Sequence, residues 1–353
     1  MKILFYTDNH FCQYSSILRS RGEKYSVRLE NQIKTMNWLA EQSKAFDVDL
    51  EVCGGDFFDK NTLDAESITA LNEITWSDKP KIFIVGNHEL STADASLNSL
   101  NVLAQKGFQI ISNPQIISLS NIDLYFLPYD NTLDKISDLI EHTCDRRIFF
   151  SHNDIKGINY GGFETKTGID IDDINANCDL FINGHLHNHS KYGKVVNVGN
   201  ITGQNFSEDA LKYTHYAIII DTDTLEIKYL ENPYALKFYK LDFTIPEHND
   251  IDYINKVPVG NNAVISLKLH KGHGYECIRT RFDKHYEYKG FPKHCGVIES
   301  RCIIVPEEST EVNGTTVSVE DLHIDHLKQF NTYILNQLGT SNIVAEELSE
   351  ICK

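Results

Sequence analysis

A chain of 353 residues, 41% hydrophobic and 24% charged, carries enough apolar side chain to bury a substantial core, which excludes a mostly disordered protein. A net charge of −17 argues against coating nucleic acid or a membrane with the whole surface, although a local basic patch stays open. The eight cysteines (Cys12, Cys53, Cys144, Cys178, Cys277, Cys295, Cys302, Cys352) form no C-x-x-C pair and no apolar run approaches a membrane span, so a reduced, cytoplasmic protein is expected.

In chain order, KILFYT (2–7) reads as a buried strand. Residues 24–45 carry Val27, Ile33, Trp38 and Leu39 and read as a long amphipathic helix. LEVCGG (50–55) is the next strand, followed by a helix near 64–76, the strand KIFIVG (81–86) and a helix near 95–106. QIISLS (115–120), LYFLPY (124–129), RRIFFSH (146–152), DLFING (179–184), KVVNVG (194–199) and YAIIID (216–221) then read as buried strands without clear helices between them. This order predicts an α/β architecture with mixed pairing and two packed sheets.

The character changes near residue 240. Residues 246–305 read as a small α/β unit with VISLKL and VIESRCIIV as strands, and PEESTEVNGTTV (306–317) as a polar linker. Ser318 opens S-V-E-D, a capping-box pattern, and Leu327, Phe330, Ile334 and Leu338 then form one helical stripe that Gly339 ends. A short last helix carries Ile343, Val344, Leu348 and Ile351.

Polar clusters follow the strands that matter most. KILFYT runs into Asp8-Asn9-His10, LEVCGG into Asp56-Phe57-Phe58-Asp59, and KIFIVG into Asn87-His88-Glu89. RRIFFS runs into His152, and DLFING into His185-Leu186-His187. Ligand sites in α/β sheets lie beyond the carboxyl ends of strands, so these ends are expected to converge. Two divalent ions held close together need a shared carboxylate with nitrogen and oxygen donors around it, and Asp56 can be shared because it has two oxygens. Taken singly, each cluster reads equally as a turn, a helix cap or surface decoration; the weight lies in the ordered set.

That set, D-x-H, G-D-x-x-D, G-N-H-E, a lone His and G-H-x-H, resembles the calcineurin-like metallophosphoesterase superfamily over roughly residues 1–230. The resemblance implies an α-β-β-α sandwich, with Asp8, His10, Asp56 and His187 around one metal ion and Asp56, Asn87, His152 and His185 around a second. It makes His88 the catalytic imidazole, leaves Asp59 to orient a ligand histidine, and gives His189 no role. It implies two ions, Mn²⁺ first, with Mg²⁺, Zn²⁺ or Fe as substitutes.

Among the superfamily's substrates the sequence favours DNA. The segment VGNITGQNFSED (198–209) looks like the corresponding segment of SbcD nucleases, whose layout implies a nuclease domain (1–240), a capping domain (241–305), a linker (306–317) and C-terminal helices (318–353). Those helices would dock on an SbcC-type coiled-coil ATPase, and the nuclease would be a homodimer. D-N-H-F-C departs from the usual D-x-H-L-G, and Asp59 stands where archaeal and eukaryotic relatives carry His, which places the chain nearer the bacterial and phage branch. Two basic clusters supply candidate DNA contacts: Arg19, Arg21 and Lys24 (with Arg28 beside them), and Arg279, Arg281 and Lys284, the second interleaved with aromatics. The competing expectations are a stand-alone phosphatase or small-nucleotide phosphodiesterase, and a DNA-end-binding scaffold with structural metals.

Overall fold

The computed structural model describes residues 1–242, except 16, 19, 20, 120, 141–143 and 161–162, together with the strands Ala263–His270 and Val297–Val305. The chain divides into two units, Met1–Val305 and Pro306–Lys353. The linker, the C-terminal helices, most of the capping unit, and Arg19, Arg279, Arg281 and Lys284 lie outside the described residues.

In chain order the strands are β1 (Lys2–Tyr6), β2 (Leu50–Cys53), β3 (Lys81–Ile84), β4 (Gln109–Ile111), β5 (Gln115–Ser118), β6 (Ile122–Leu127) and β7 (Arg146–Ser151). Four two-residue strands follow, β8 (Ile155–Lys156), β9 (Asn159–Tyr160), β10 (Phe163–Glu164) and β11 (Ile169–Asp170). Then come β12 (Leu180–Asn183), β13 (Ser190–Tyr192), β14 (Val195–Asn197), β15 (Tyr216–Asp221), β16 (Ile227–Glu231), β17 (Lys237–Asp242), β18 (Ala263–His270) and β19 (Val297–Val305). The helices are α1 (Val27–Ala45), α2 (Ala65–Leu71), α3 (Asn101–Ala104) and α4 (Ile171–Asn177).

Two six-stranded mixed sheets, β16-β15-β1-β2-β3-β4 and β13-β14-β12-β7-β6-β5, form the body. In the first, β1 to β4 run parallel, β15 pairs antiparallel with β1, and β16 pairs antiparallel with β15; in the second, β6, β7, β12 and β14 run parallel between antiparallel edges. Strand alternation builds the core: Ile3, Phe5, Val52, Ile82 and Ile84 on one sheet meet Leu124, Phe126, Ile148, Phe150 and Ile182 on the other. The opposite faces, Leu4, Tyr6, Cys53 and Phe83, pack on Leu29, Met36, Leu39 and Leu71 of the helices. On the outer face of the second sheet Tyr125, Phe149 and Phe181 pack with Ile174 of α4. The result is an α-β-β-α sandwich, with the parallel strand ends of both sheets opening at one edge.

Several element boundaries differ from expectation, for local reasons. α1 begins at Val27 because Ser26 is its N-cap, its side chain accepting from the Leu29 N–H at 3.2 Å. The helix expected near 95–106 shrinks to α3, because Asn98 is already committed to a β-bridge with Leu90. α4 departs from expectation: its seven residues, with Ile171, Ile174 and Ala176 as the apolar members, are too few to establish a helical period. The boundary drawn at 240/241 falls inside β17, which pairs in parallel with β18, itself parallel to β19, as a third sheet.

Candidate dimetal centre

Sharp turns at the strand ends aim the polar clusters at one place. Asp8, His10, Asp56 and His185 all adopt positive φ (52°, 46°, 48° and 71°), a conformation that non-glycine residues seldom take. Hydrogen bonds hold these turns: Asp8 N–H donates to Gly55 O at 3.0 Å and His10 N–H to Asp56 O at 2.9 Å. Beneath His10, Gln32 Nε2 donates to its carbonyl at 2.8 Å and Arg28 Nη2 at 3.1 Å.

Glycine is needed where these turns touch. A Cβ on Gly86 would lie 2.2 Å from Asp56 Oδ1 and 2.5 Å from its backbone nitrogen. We expect Gly86→Ala to cost about 1–3 kcal/mol of stability through overpacking and to displace the Asp56 carboxylate. Denaturant melts would measure the first effect, and Mn²⁺ titration the second.

One cluster gathers Asp8, His10 and His187, each with one ligand atom within 4.8 Å of the others. His10 Nε2 stands 3.2 Å from His187 Nε2, and these lie 3.9 and 3.8 Å from Asp8 Oδ1. His10 Nδ1 faces Asp59 Oδ1 at 3.3 Å, and His187 Nδ1 faces Glu208 Oε1 at 3.0 Å. The second cluster gathers Asp56, His152 and His185 in the same way. His152 Nε2 is 3.1 Å from Asp56 Oδ2, while its Nδ1 donates to Gly54 O at 2.7 Å. His185 directs Nδ1 to Asn87 Oδ1 at 3.2 Å and Nε2 to Asp154 Oδ1 at 3.3 Å. Asp56 Oδ2 is also 3.8 Å from His10 Nε2, so this carboxylate stands between the clusters.

These donors fit divalent cations on a specific ground. Carboxylates and carbonyls can only accept, so Glu208 and Gly54 assign the ring protons of His187 and His152 to Nδ1. Their Nε2 lone pairs then point at His10 Nε2 and at the buried Asp56 Oδ2. Asp8 Oδ1 and His152 Nε2, both in fully buried residues, have no hydrogen-bond partner. Converging lone pairs repel unless a cation sits among them, so each cluster is complete only with positive charge.

Without metal, protons take that part. Burial works against charge on His152, yet Asp56 beside it pushes its pKa up to about 10. Burial likewise works against the Asp56 carboxylate, but His152, His10 and His88 hold it below the usual range. Burial and Asp56 push Glu89 up to about 8. A raised pKa stabilises the fold below the unfolded value and is lost on passing the folded one. The metal-free protein should therefore lose stability between pH 4.5 and about 8 through Glu89, and between 6.5 and about 10 through His152. Asp56 has the opposite sign and costs stability in acid. Ligand histidines are neutral, so Mn²⁺ should flatten the alkaline decline, which thermal melts with Mn²⁺ or chelator across that range would show.

His88 stands apart on the exposed rim. Its N–H donates to Asp56 Oδ1 at 2.9 Å and its Nδ1 to the Asp59 carbonyl at 2.8 Å, and its ring meets His10 edge-on at 4.6 Å. Its ring nitrogen also falls within 4.8 Å of ligand atoms of His10 and Asp56. Asp59 thus addresses His10 with its side chain and His88 with its backbone. His189 packs edge-on against Tyr216 and Tyr229.

The described cations named as DNA contacts have acidic partners: Arg21 pairs with Glu66 at 2.7 Å and Lys24 with Glu73. Arg28 is buried beneath His10, 3.9 Å from Asp59. Sequence reasoning missed the supporting role of five residues: Arg28, Gln32, Glu89, Asp154 and Glu208. Glu89 is fully buried and accepts from the backbone N–H groups of Gly86 (2.8 Å), Phe58 (2.9 Å) and Asp56 (3.1 Å), tying two of the motif turns together. For Arg28 and Gln32 a signal existed, since polar residues four apart on the core-facing side of a helix must serve something buried.

A model of the family described as calcineurin-like phosphoesterase matches residues 1–189. Among solved structures, the chain is similar to an archaeal phosphodiesterase at 13% identity, over 65% of this chain and 99% of that one, with a TM-score of 0.35. It is similar to a purple acid phosphatase from yellow lupin (Lupinus luteus) seeds at 12% identity, with a TM-score of 0.41, over 66% of this chain and 51% of that one. A third is Yfce, a phosphoesterase from E. coli, at 15% identity over 65% of this chain and 98% of that one, with a TM-score of 0.30. Comparison with curated proteins gives no match. Among the described residues no helix is long and apolar enough to cross a membrane. The family match takes in both donor clusters, from Asp8 to His187, and the chain belongs to the calcineurin-like phosphoesterase family of metal-dependent phosphoesterases.

Proposed function

We propose that this chain is a two-metal phosphodiesterase that acts on small diesters without a partner protein. The observation that carries the reading is the placement of His88. The Asp59 carbonyl accepts from its Nδ1, so Nε2 is left at the exposed rim for substrate. The ring can hand a proton to the alkoxide that leaves an alkyl phosphoester, a diester included. Asp8, His10, Asp56 and His187 would hold one ion, and Asp56, Asn87, His152 and His185 the other. Bound there, two divalent ions supply neutralisation of the phosphoryl oxygens and an acidified water as nucleophile. The N/O donor set without thiolate suits Mn²⁺, with Mg²⁺, Zn²⁺ or Fe as substitutes.

A DNA nuclease is the second reading, with an SbcC-type ATPase as partner and a homodimeric form. It is favoured by the segment 198–209, whose residues contact the metal cluster. It ranks second because Arg21 and Lys24, the described cations it would use, already serve Glu66 and Glu73.

The deciding assay incubates the protein with Mn²⁺ and bis(p-nitrophenyl) phosphate, and separately with end-labelled linear duplex DNA. Chelator-sensitive release of nitrophenolate is expected. Degradation of DNA with the small diester untouched would put the nuclease first, and hydrolysis of neither would defeat both readings.

A further inference from the structure

The family match ends at residue 189, yet the cluster of Asp8, His10 and His187 is closed by residues beyond it. Asn200 N–H donates to His187 O at 3.0 Å, and Ile201 N–H to Thr7 O at 3.1 Å. Thr202 Oγ1 donates to Asn9 O at 3.1 Å, and Gln204 Nε2 to Asp8 O at 3.2 Å. One short segment thus ties the turn after β1 to the turn after β12.

Glu208 completes it. The residue is fully buried, and both its oxygens are engaged. Oε1 accepts from His187 Nδ1 at 3.0 Å and from Asn205 Nδ2 at 3.2 Å, while Oε2 accepts from Gln204 N–H at 2.7 Å. His187 itself is 27% exposed and belongs to the loop between β12 and β13, so packing alone does not fix its ring. Asp154 faces His185 in a similar way, but at 38% exposure it is far more solvated.

We propose that Glu208 is a positioning residue for the metal ion at Asp8, His10 and His187: it fixes the Nδ1–H tautomer of His187 and turns Nε2 toward Asp8. The proposal deepens the two-metal reading and rests on it. A glutamine cannot replace this carboxylate, because donors approach both oxygens and an amide would turn its NH₂ toward one of them. Partners that orient a ligand histidine are worth about 10–100-fold in metal affinity.

The test is Mn²⁺ titration calorimetry on the full chain and on Glu208→Gln, with thermal melts beside it. Wild type should bind two ions, and the variant should keep one site while the other weakens by about 10–100-fold. In a His187→Gln background, Glu208→Gln should add nothing further, because it acts only through that ring. Should Glu208→Gln melt too early, Glu208→Asp is the substitute: it keeps the charge but draws the carboxylate away from Nδ1, and one weakened site is again expected. Two unaltered sites in the variant, or full additivity with His187→Gln, would overturn the proposal. Binding is read without substrate, so a chain that binds two ions but hydrolyses no diester defeats the functional reading and leaves this one standing.

Discussion

Replacing Asp56 by Asn should abolish detectable turnover, a loss of at least about 1,000-fold or ~4 kcal/mol in the activation barrier, by removing the carboxylate that both ions would share. Calorimetry should show both ions bound at least about a hundredfold more weakly, since a lost ligand costs no less than a lost outer partner. The fold should survive. The amide oxygen can still accept from His88 N–H, which now approaches Asp56 Oδ1 at 2.9 Å. The amide NH₂ would then face His152 Nε2, where Asp56 Oδ2 now stands 3.1 Å away. A donor there satisfies the neutral imidazole directly, so His152 no longer needs a proton. Metal-free Asp56→Asn should accordingly lack the His152 share of the alkaline decline, up to about pH 10, that the metal-free parent shows. A variant that binds two ions normally, or one that keeps that decline, would refute the shared role of Asp56.

The residues that gather in the two donor clusters were legible because each follows a strand whose apolar pattern is strong. KILFYT and LEVCGG end in Asp8 and Asp56, and once parallel pairing is granted, the ends of β1 and β2 have to lie side by side. What supports those residues was not legible, since support comes from elsewhere in the chain. Arg28 and Gln32 reach His10 from α1, and Glu208 reaches His187 across 21 positions. Arg28 looks like a solvated helix residue until the helix face is known, and then its burial is the signal. Glu208 stood in a segment noticed only for its likeness to SbcD nucleases; its geometry depends on a loop with no period to read. α4 was lost for a related reason, being too short to show one.

Replacing His88 by Ala should lower turnover by about 10²–10⁴-fold while both ions still bind. The ring is exposed, donates to the Asp59 carbonyl and meets His10 only edge-on, while Asp56 and His10 are held by the backbone hydrogen bonds of their own turns, so removing it should leave both in place. The loss should depend on the leaving group. Nitrophenolate departs with little need of a proton, whereas an alkoxide requires one, so an alkyl diester should suffer far more than a nitrophenyl diester. That contrast separates proton donation from mere orientation of the phosphate, which would slow both substrates alike. It also separates donation from metal binding, a role that the grouping of His88 with His10 and Asp56 makes worth testing. If His88 were a ligand, the alanine variant would lose affinity for one ion and excess Mn²⁺ would restore part of the rate. If it is the acid, no concentration of metal should restore turnover on the alkyl substrate.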